Sequence, residues 1–336
     1  MRTFSLAAVA ALLASANAGT VVWDGRFNDL SSAADLNNWS WSNQVGPYQY
    51  YIHGSGPVTE YVSLSASHKN PADTASKQGA KITLTNTAYW NGQNMRRTEL
   101  IPQTSAGINK GKVWYHFSMM TSGTNYPSIY REHQINFFES HFTEMKSGWI
   151  SGEAATSNPN LQWMVGGVSK WSTNFTAGVW HNGNIYLVAY EIDFSANTVG
   201  FWHSTGSDPL KLTVSPVSAS TSSNGADWHL GVLELPRSGY SDSNEDFYFS
   251  GVYVESGSLT TTIGSGGELV GWWLLVCAVQ HRYILQEHDL GRVDHVQGAG
   301  DQHSLLRFRD GHGAWWLRRC EVGSVRRHEL GWLHCL

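Results

Sequence analysis

Two glutamates with contrasting neighbours are the clearest chemical signal in the chain. Glu99 lies in residues 94–101, where side chains alternate as in a strand. Met95, Arg97, Glu99 and Ile101 point one way; Arg96, Thr98 and Leu100 point the other. Arg97 and Glu99 therefore share a face, two positions apart. A guanidinium beside a carboxylate holds it ionised and aimed, which suits a general base. Glu139 follows Ile135, Phe137 and Phe138. Apolar neighbours disfavour the charged form and suit a general acid. Cleavage of a glycosidic bond needs such a pair: one carboxylic acid to protonate the leaving oxygen, one carboxylate to activate water or attack the anomeric carbon. His229 is a third candidate, in Asp227-Trp228-His229-Leu230-Gly231. It can bond a sugar hydroxyl or orient a glutamate, and the glycine lets the backbone lie close to a ligand. The plainer readings are salt-bridged surface glutamates and a structural histidine.

The elements that must position these residues read as short strands. They cover residues 81–84, 112–120, 131–145, 162–165, 228–235 and 247–254, with a hairpin of 189–194 and 198–204 around Ser195-Ala196-Asn197. In 131–145, His133, Ile135, Phe137, Glu139 and His141 are expected on one face, and Gln134, Asn136, Phe138 and Ser140 on the other. Frequent Gly, Ser and Asn turns and almost no amphipathic helix predict an all-β fold, a jelly-roll sandwich of two antiparallel sheets. Trp39, Trp41, Tyr48, Tyr50 and Tyr51 alternate with polar residues. Aromatics of this kind fill β cores or form platforms on which the apolar face of a pyranose stacks. Trp41 and Tyr51, with Gln134, are read as substrate contacts.

Composition narrows the function class. Among 336 residues only 15% are charged, the net charge is -5, and Gly (34) and Trp (16) are abundant. A neutral ligand is expected, and nucleic acid, which calls for a basic surface, is not. Residues 1–18 read as a signal peptide: Arg2 precedes an apolar run, and Ala16-Asn17-Ala18 is an A-x-A cleavage sequence. That run is too short to span a bilayer, so a secreted, extracellular protein without membrane association is expected, acting as a monomer. Asn38-Trp39-Ser40 and Asn174-Phe175-Thr176 are glycosylation sequons. The main domain is expected over 19–264. From 265 to 336 strand alternation fades, lysine disappears, and all three cysteines (Cys277, Cys320, Cys335) fall here. This tail reads as poorly specified, as a shifted reading frame would be. A degenerate carbohydrate-binding segment is the functional alternative. No cofactor is called for: there is no phosphate loop, no convincing metal spacing and no acidic loop for Ca²⁺.

The segments Val22-Trp23-Asp24-Gly25-Arg26-Phe27, Asn43-Gln44-Val45-Gly46-Pro47-Tyr48, 95–102, 132–148, 190–203 and 228–240 together resemble glycoside hydrolase family 131, a group of secreted fungal β-glucanases. The resemblance runs from about residue 21 to 259. It implies a β-jelly-roll catalytic domain acting on β-1,3-, β-1,6- and β-1,4-glucans, with exo-type action on the first two and endo-type on the third. It places the family's catalytic carboxylates on Glu99 and Glu139 and its associated arginine and histidine on Arg97 and His229. It further implies inversion of anomeric configuration, with carboxylates about 6.5–9.5 Å apart. Two departures stand out. Residues 183–188 are extra, as a loop insertion or retained intron would be, and could slip a strand register. The tail does not match the family's cellulose-binding module.

Two rival readings remain at this stage. Jelly-roll polysaccharide lyases also carry an Arg-x-Glu-Leu strand like residues 97–100 and a Gln-Ile strand like Gln134-Ile135, but place a histidine where this chain has Asn136. A non-catalytic glucan-binding protein would need the aromatics and not the carboxylates.

Overall fold

The computed structural model describes residues 19–176 and 186–263, and three strands further on. The chain divides into two compact units, Met1–Gly267 and Glu268–Leu336. In the first unit the strands are β1 (Thr20–Asp24), β2 (Tyr48–Ile52), β3 (Val62–Ser65), β4 (Gly79–Leu84), β5 (Arg96–Pro102), β6 (Lys112–Thr121), β7 (His133–Phe138), β8 (Thr143–Ser147), β9 (Asn160–Val165), β10 (Val168–Asn174), β11 (Tyr186–Asp193), β12 (Thr198–Thr205), β13 (Lys211–Ser218), β14 (Trp228–Glu234) and β15 (Glu245–Ser256). The only α-helix among the described residues is one turn, Val58–Tyr61.

These strands make two sheets with antiparallel pairing throughout. One runs β13-β12-β11-β6-β15-β4-β3, with β1 also on β15; the other runs β10-β9-β8-β7-β14-β5-β2. This is the expected all-β jelly roll. The core between the sheets is aromatic. Tyr115 on β6 meets Phe138 on β7 and Trp228 on β14, with ring centroids 5.2 and 5.0 Å apart. Trp163 on β9 stacks on Phe201 of β12 at 4.8 Å. Such rings bury large apolar areas, and their edge-to-face and offset contacts add to that burial. Tyr48 and Tyr50 join this core, whereas Tyr51, between Tyr50 and Ile52 on β2, stays outside it.

The span 131–145 is not one strand. It breaks into β7 and β8, with Glu139 and Ser140 in the turn between them. Its alternation also fails, because Asn136 adopts a left-handed backbone (φ 47°) within β7. The pairing of β7 with β14 shifts register at that point. Ile135 and Phe138 therefore both enter the core, and Phe137 leaves it. A bulge of this kind re-aims side chains and is invisible to a period-of-two reading.

The six-residue departure at 183–188 resolves differently. Residues 186–188 lengthen β11, pairing in unbroken register with β6 and β12. Tyr190 and Ile192 keep their core positions. Residues 183–185 lie outside the described residues, as do residues 1–18, read above as a signal peptide, and most of the tail. In the second unit β16 (Arg292–Val296), β17 (His303–Arg309) and β18 (Trp315–Glu321) form a three-stranded antiparallel sheet.

Candidate active site

Three adjacent strands present the candidate residues on the outer face of the second sheet. β14 pairs with β5, setting Gly231 opposite Glu99 and Leu233 opposite Arg97. On its other side β14 sets His229 opposite Phe137 of β7. Cross-strand partners share a face. Trp228, Leu230 and Val232 point into the core, so His229, Gly231 and Leu233 point outward with Glu99 and Arg97. Gly231 has φ +147°, and a Cβ there would stand 2.3 Å from the Thr98 carbonyl oxygen. Its N–H donates to Asn136 Oδ1 at 3.1 Å. The glycine expected to admit a ligand instead lets β14 close on β5 beside Glu99.

Arg97 and Glu99 meet as their spacing predicts. Nε and Nη2 of Arg97 donate to Oε1 and Oε2 of Glu99, each at 2.7 Å. Glu99 is fully buried and Arg97 nearly so. The remaining nitrogen, Nη1, donates to Gln93 Oε1 at 3.3 Å. His229 completes the cluster: its Nδ1 lies 2.5 Å from Glu99 Oε2, and its Nε2 lies 3.2 Å from Glu139 Oε2. One imidazole thus spans the two carboxylates. Facing an arginine-bound carboxylate, Nδ1 is the donor, and Nε2 faces Glu139. The ring therefore stands between one oxygen of Glu99 and one oxygen of Glu139.

Glu139 does not sit among apolar groups. The turn exposes its side chain by 65%. Phe138 has turned into the core, and Phe137 lies instead against His229, stacked at 4.7 Å. The other side of Phe137 carries His141, stacked at 5.3 Å. The hydrogen bond that His141 Nδ1 donates to Glu144 raises the His141 pKa above its ordinary value, against the opposing effect of burial.

An aromatic wall borders the pair. Trp41, 67% exposed, lies 5.1 Å from Tyr51 and 5.0 Å from Trp39. Tyr51 adjoins Trp90 at 6.1 Å, and Trp90 lies beneath the Arg97 guanidinium at 5.3 Å. Burial first, then the charges of Glu99 and Glu139, raise the Tyr51 hydroxyl pKa, with Arg97 opposing them. Gln134 shares the outer face but lies a row away, opposite Leu233, and donates to Glu132 Oε1 at 3.1 Å. It does not join the cluster. Trp90 and Gln93 do join it, and neither was singled out from the sequence: both sit in the loop before β5, where no periodicity assigns a face.

Comparisons with known proteins follow the same outline. The sequence model of the glycoside hydrolase 131 catalytic N-terminal domain matches residues 21–260. The crystal structure of a GH131 beta-glucanase catalytic domain from Podospora anserina is 70% identical, with a TM-score of 0.71, and covers 74% of this chain and 100% of its own. The catalytic domain of the glycoside hydrolase family 131 protein from Coprinopsis cinerea is 48% identical, with a TM-score of 0.68 and the same coverage. No curated protein matches the chain. The fold, the match across the body and these two structures show that the chain belongs to glycoside hydrolase family 131 and is a glycosidase.

Proposed function

We propose that this protein is a secreted β-glucanase that cleaves β-1,3-, β-1,6- and β-1,4-linked glucans with inversion, using Glu99 and Glu139 joined through His229. The observation that carries this reading is the single imidazole hydrogen-bonded to Glu99 at one edge and 3.2 Å from Glu139 at the other. Arg97 donates to both oxygens of Glu99 at close range and supplies the counter-charge that a buried carboxylate needs. Glu139 is the carboxyl that a polysaccharide can reach, and it serves as the general acid.

In the reaction, Glu139 gives its proton to the glycosidic oxygen as the bond to the anomeric carbon breaks. Water attacks that carbon from the opposite face and loses a proton toward Glu99. Glu99 has no exposed surface, so the proton reaches it by way of His229. Glu99 then hands its proton back to Nδ1 as Nε2 gives one to Glu139, which restores the starting state. Trp41 and Tyr51 stack sugar rings beside the pair. A lyase is disfavoured because each guanidinium nitrogen of Arg97 already has a protein partner, leaving none to neutralise a uronate.

The test is a pair of substitutions, Glu99→Gln and Glu139→Gln. Each should abolish sugar release from laminarin while leaving laminarin binding largely intact. Full hydrolysis by both variants would overturn the assignment.

A further inference from the structure

The first unit begins, among the described residues, at Gly19, which sits against a buried acid far along the chain. β1 pairs with β15 so that Thr20 faces Ser256. Next to Ser256, Glu255 is 0% exposed. Its carboxylate accepts from Thr260 twice, the backbone N–H to Oε1 at 2.6 Å and Oγ1 to Oε2 at 2.7 Å, and pairs with His116 Nε2 at 2.9 Å. The Gly19 nitrogen in turn donates to Thr260 Oγ1 at 3.3 Å. A Cβ on Gly19 would stand 2.2 Å from the Ser258 carbonyl oxygen and 2.7 Å from Glu255 Oε2. No side chain fits there, so the backbone of residue 19 alone occupies the space beside the acid.

This same glycine follows Ala16-Asn17-Ala18. Hydrolysis by a peptidase reading that sequence adds one water across the Ala18–Gly19 amide. Ala18 keeps the carboxylate, and the nitrogen leaves as the α-amine of Gly19, protonated at neutral pH with an ordinary pKa of about 8. The uncut chain places a neutral amide N–H on Thr260 Oγ1, beside Glu255; the cut chain places a full positive charge and three donors there. The difference matters because an enclosed carboxylate needs a counter-charge, and an imidazole supplies one only when protonated.

We propose that cleavage after Ala18 is a structural step for this protein: the α-ammonium it frees at Gly19 becomes the counter-ion of Glu255 and fastens β1 to the end of β15. The carboxylate and the glycine form a docking site for the chain's own new terminus. The site is independent of Glu99 and Glu139, so it neither requires nor supports the catalytic reading.

The experiment uses the full chain secreted into the medium. N-terminal sequencing should find Gly19 as the first residue. A chain that retains Ala18 as its first residue should melt about 3 °C lower than one starting at Gly19, while in a Glu255→Gln background the two should melt together. In the native protein starting at Gly19, an amine-reactive label should modify the α-amine at least tenfold more slowly than in the denatured chain. The labelling and the one-residue extension decide the matter even if Glu255→Gln does not fold. A first residue other than Gly19, equal midpoints for the two chains, or equal labelling rates would overturn the proposal.

Discussion

The same three strands, β5, β14 and β7, carry two ionic clusters on opposite faces. The outer one joins Arg97, Glu99, His229 and Glu139. The inner one joins Arg96, Glu234 and His133, one residue from each strand, to Glu245 of the other sheet. Arg96 Nε donates to Glu234 Oε2 at 2.6 Å, Arg131 Nη1 lies 3.0 Å from Glu234 Oε1, and His133 Nε2 lies 2.5 Å from Glu245 Oε2. The residue types are nearly the same. What differs is access: Arg96, Glu234, His133 and Glu245 are all buried and only Asp242, paired with Arg96 and Arg131, reaches solvent in part, while the outer set ends on Glu139, which is open to solvent. A perturbed ionic cluster becomes a candidate for chemistry only where a substrate can touch it. His133, Glu234 and Glu245 lie close enough to hold a metal ion, but Arg96 and Arg131 already bring two positive charges to the cluster, which disfavours a cation there.

Substitutions can separate the two clusters. Glu139→Gln should lower turnover on laminarin about a thousandfold and leave the thermal midpoint unchanged, because the side chain is exposed. Arg96→Met should do the reverse. It leaves two carboxylates short of a counter-charge and should cost about 3–5 kcal/mol in denaturant unfolding, with specific activity of the folded fraction retained. If each variant lost both properties together, the division of labour between the faces would be wrong. Trp41→Ala should raise KM for soluble glucans about tenfold, roughly 1.4 kcal/mol, with kcat little changed, since an exposed ring can contribute binding and no proton transfer. An unchanged KM would remove Trp41 from the platform.

The smallest effect concerns pH. Burial pushes His133 down, but the charge and hydrogen bond of Glu245, with Glu234, push it further up, so its pKa is raised. Its contribution to stability is full below the unfolded value of about 6.5 and is lost as pH rises through the raised folded value. Glu245 is the opposite case: burial raises it, but His133 and Arg96 prevail and lower it. Its contribution is present above the unfolded value of about 4.3 and is lost as pH falls through the lowered folded value. Thermal midpoints should therefore decline on both sides of neutrality. His133→Gln should flatten the alkaline limb, and an unchanged limb would show that His133 is not its source.

The outer face was legible where the strand was regular. Residues 96–102 alternate without interruption, so the meeting of Arg97 with Glu99 follows from position alone. The resemblance gave weight to His229 and Glu139, each already a candidate from its neighbours. The surroundings of Glu139 were not legible, because one left-handed asparagine, Asn136, re-aims Phe137 and Phe138 while the letters around it still alternate. The inner cluster was hidden for another reason. Arg96, Glu234 and Glu245 are spread over the sequence, and charged residues at inward positions run against the usual hydrophobic pattern. Only the pairing of β5 with β14, and of both sheets across the core, brings them together.

The proposed mechanism stands most directly on the path Glu99–His229–Glu139, in which His229 relays the proton of the attacking water. The decisive measurement is the anomeric configuration of the first sugar released from a β-glucan, read by proton NMR before mutarotation. The account predicts the α-anomer. A first-formed β-anomer would mean retention, and would contradict both the inverting mechanism and the place given to His229 within it.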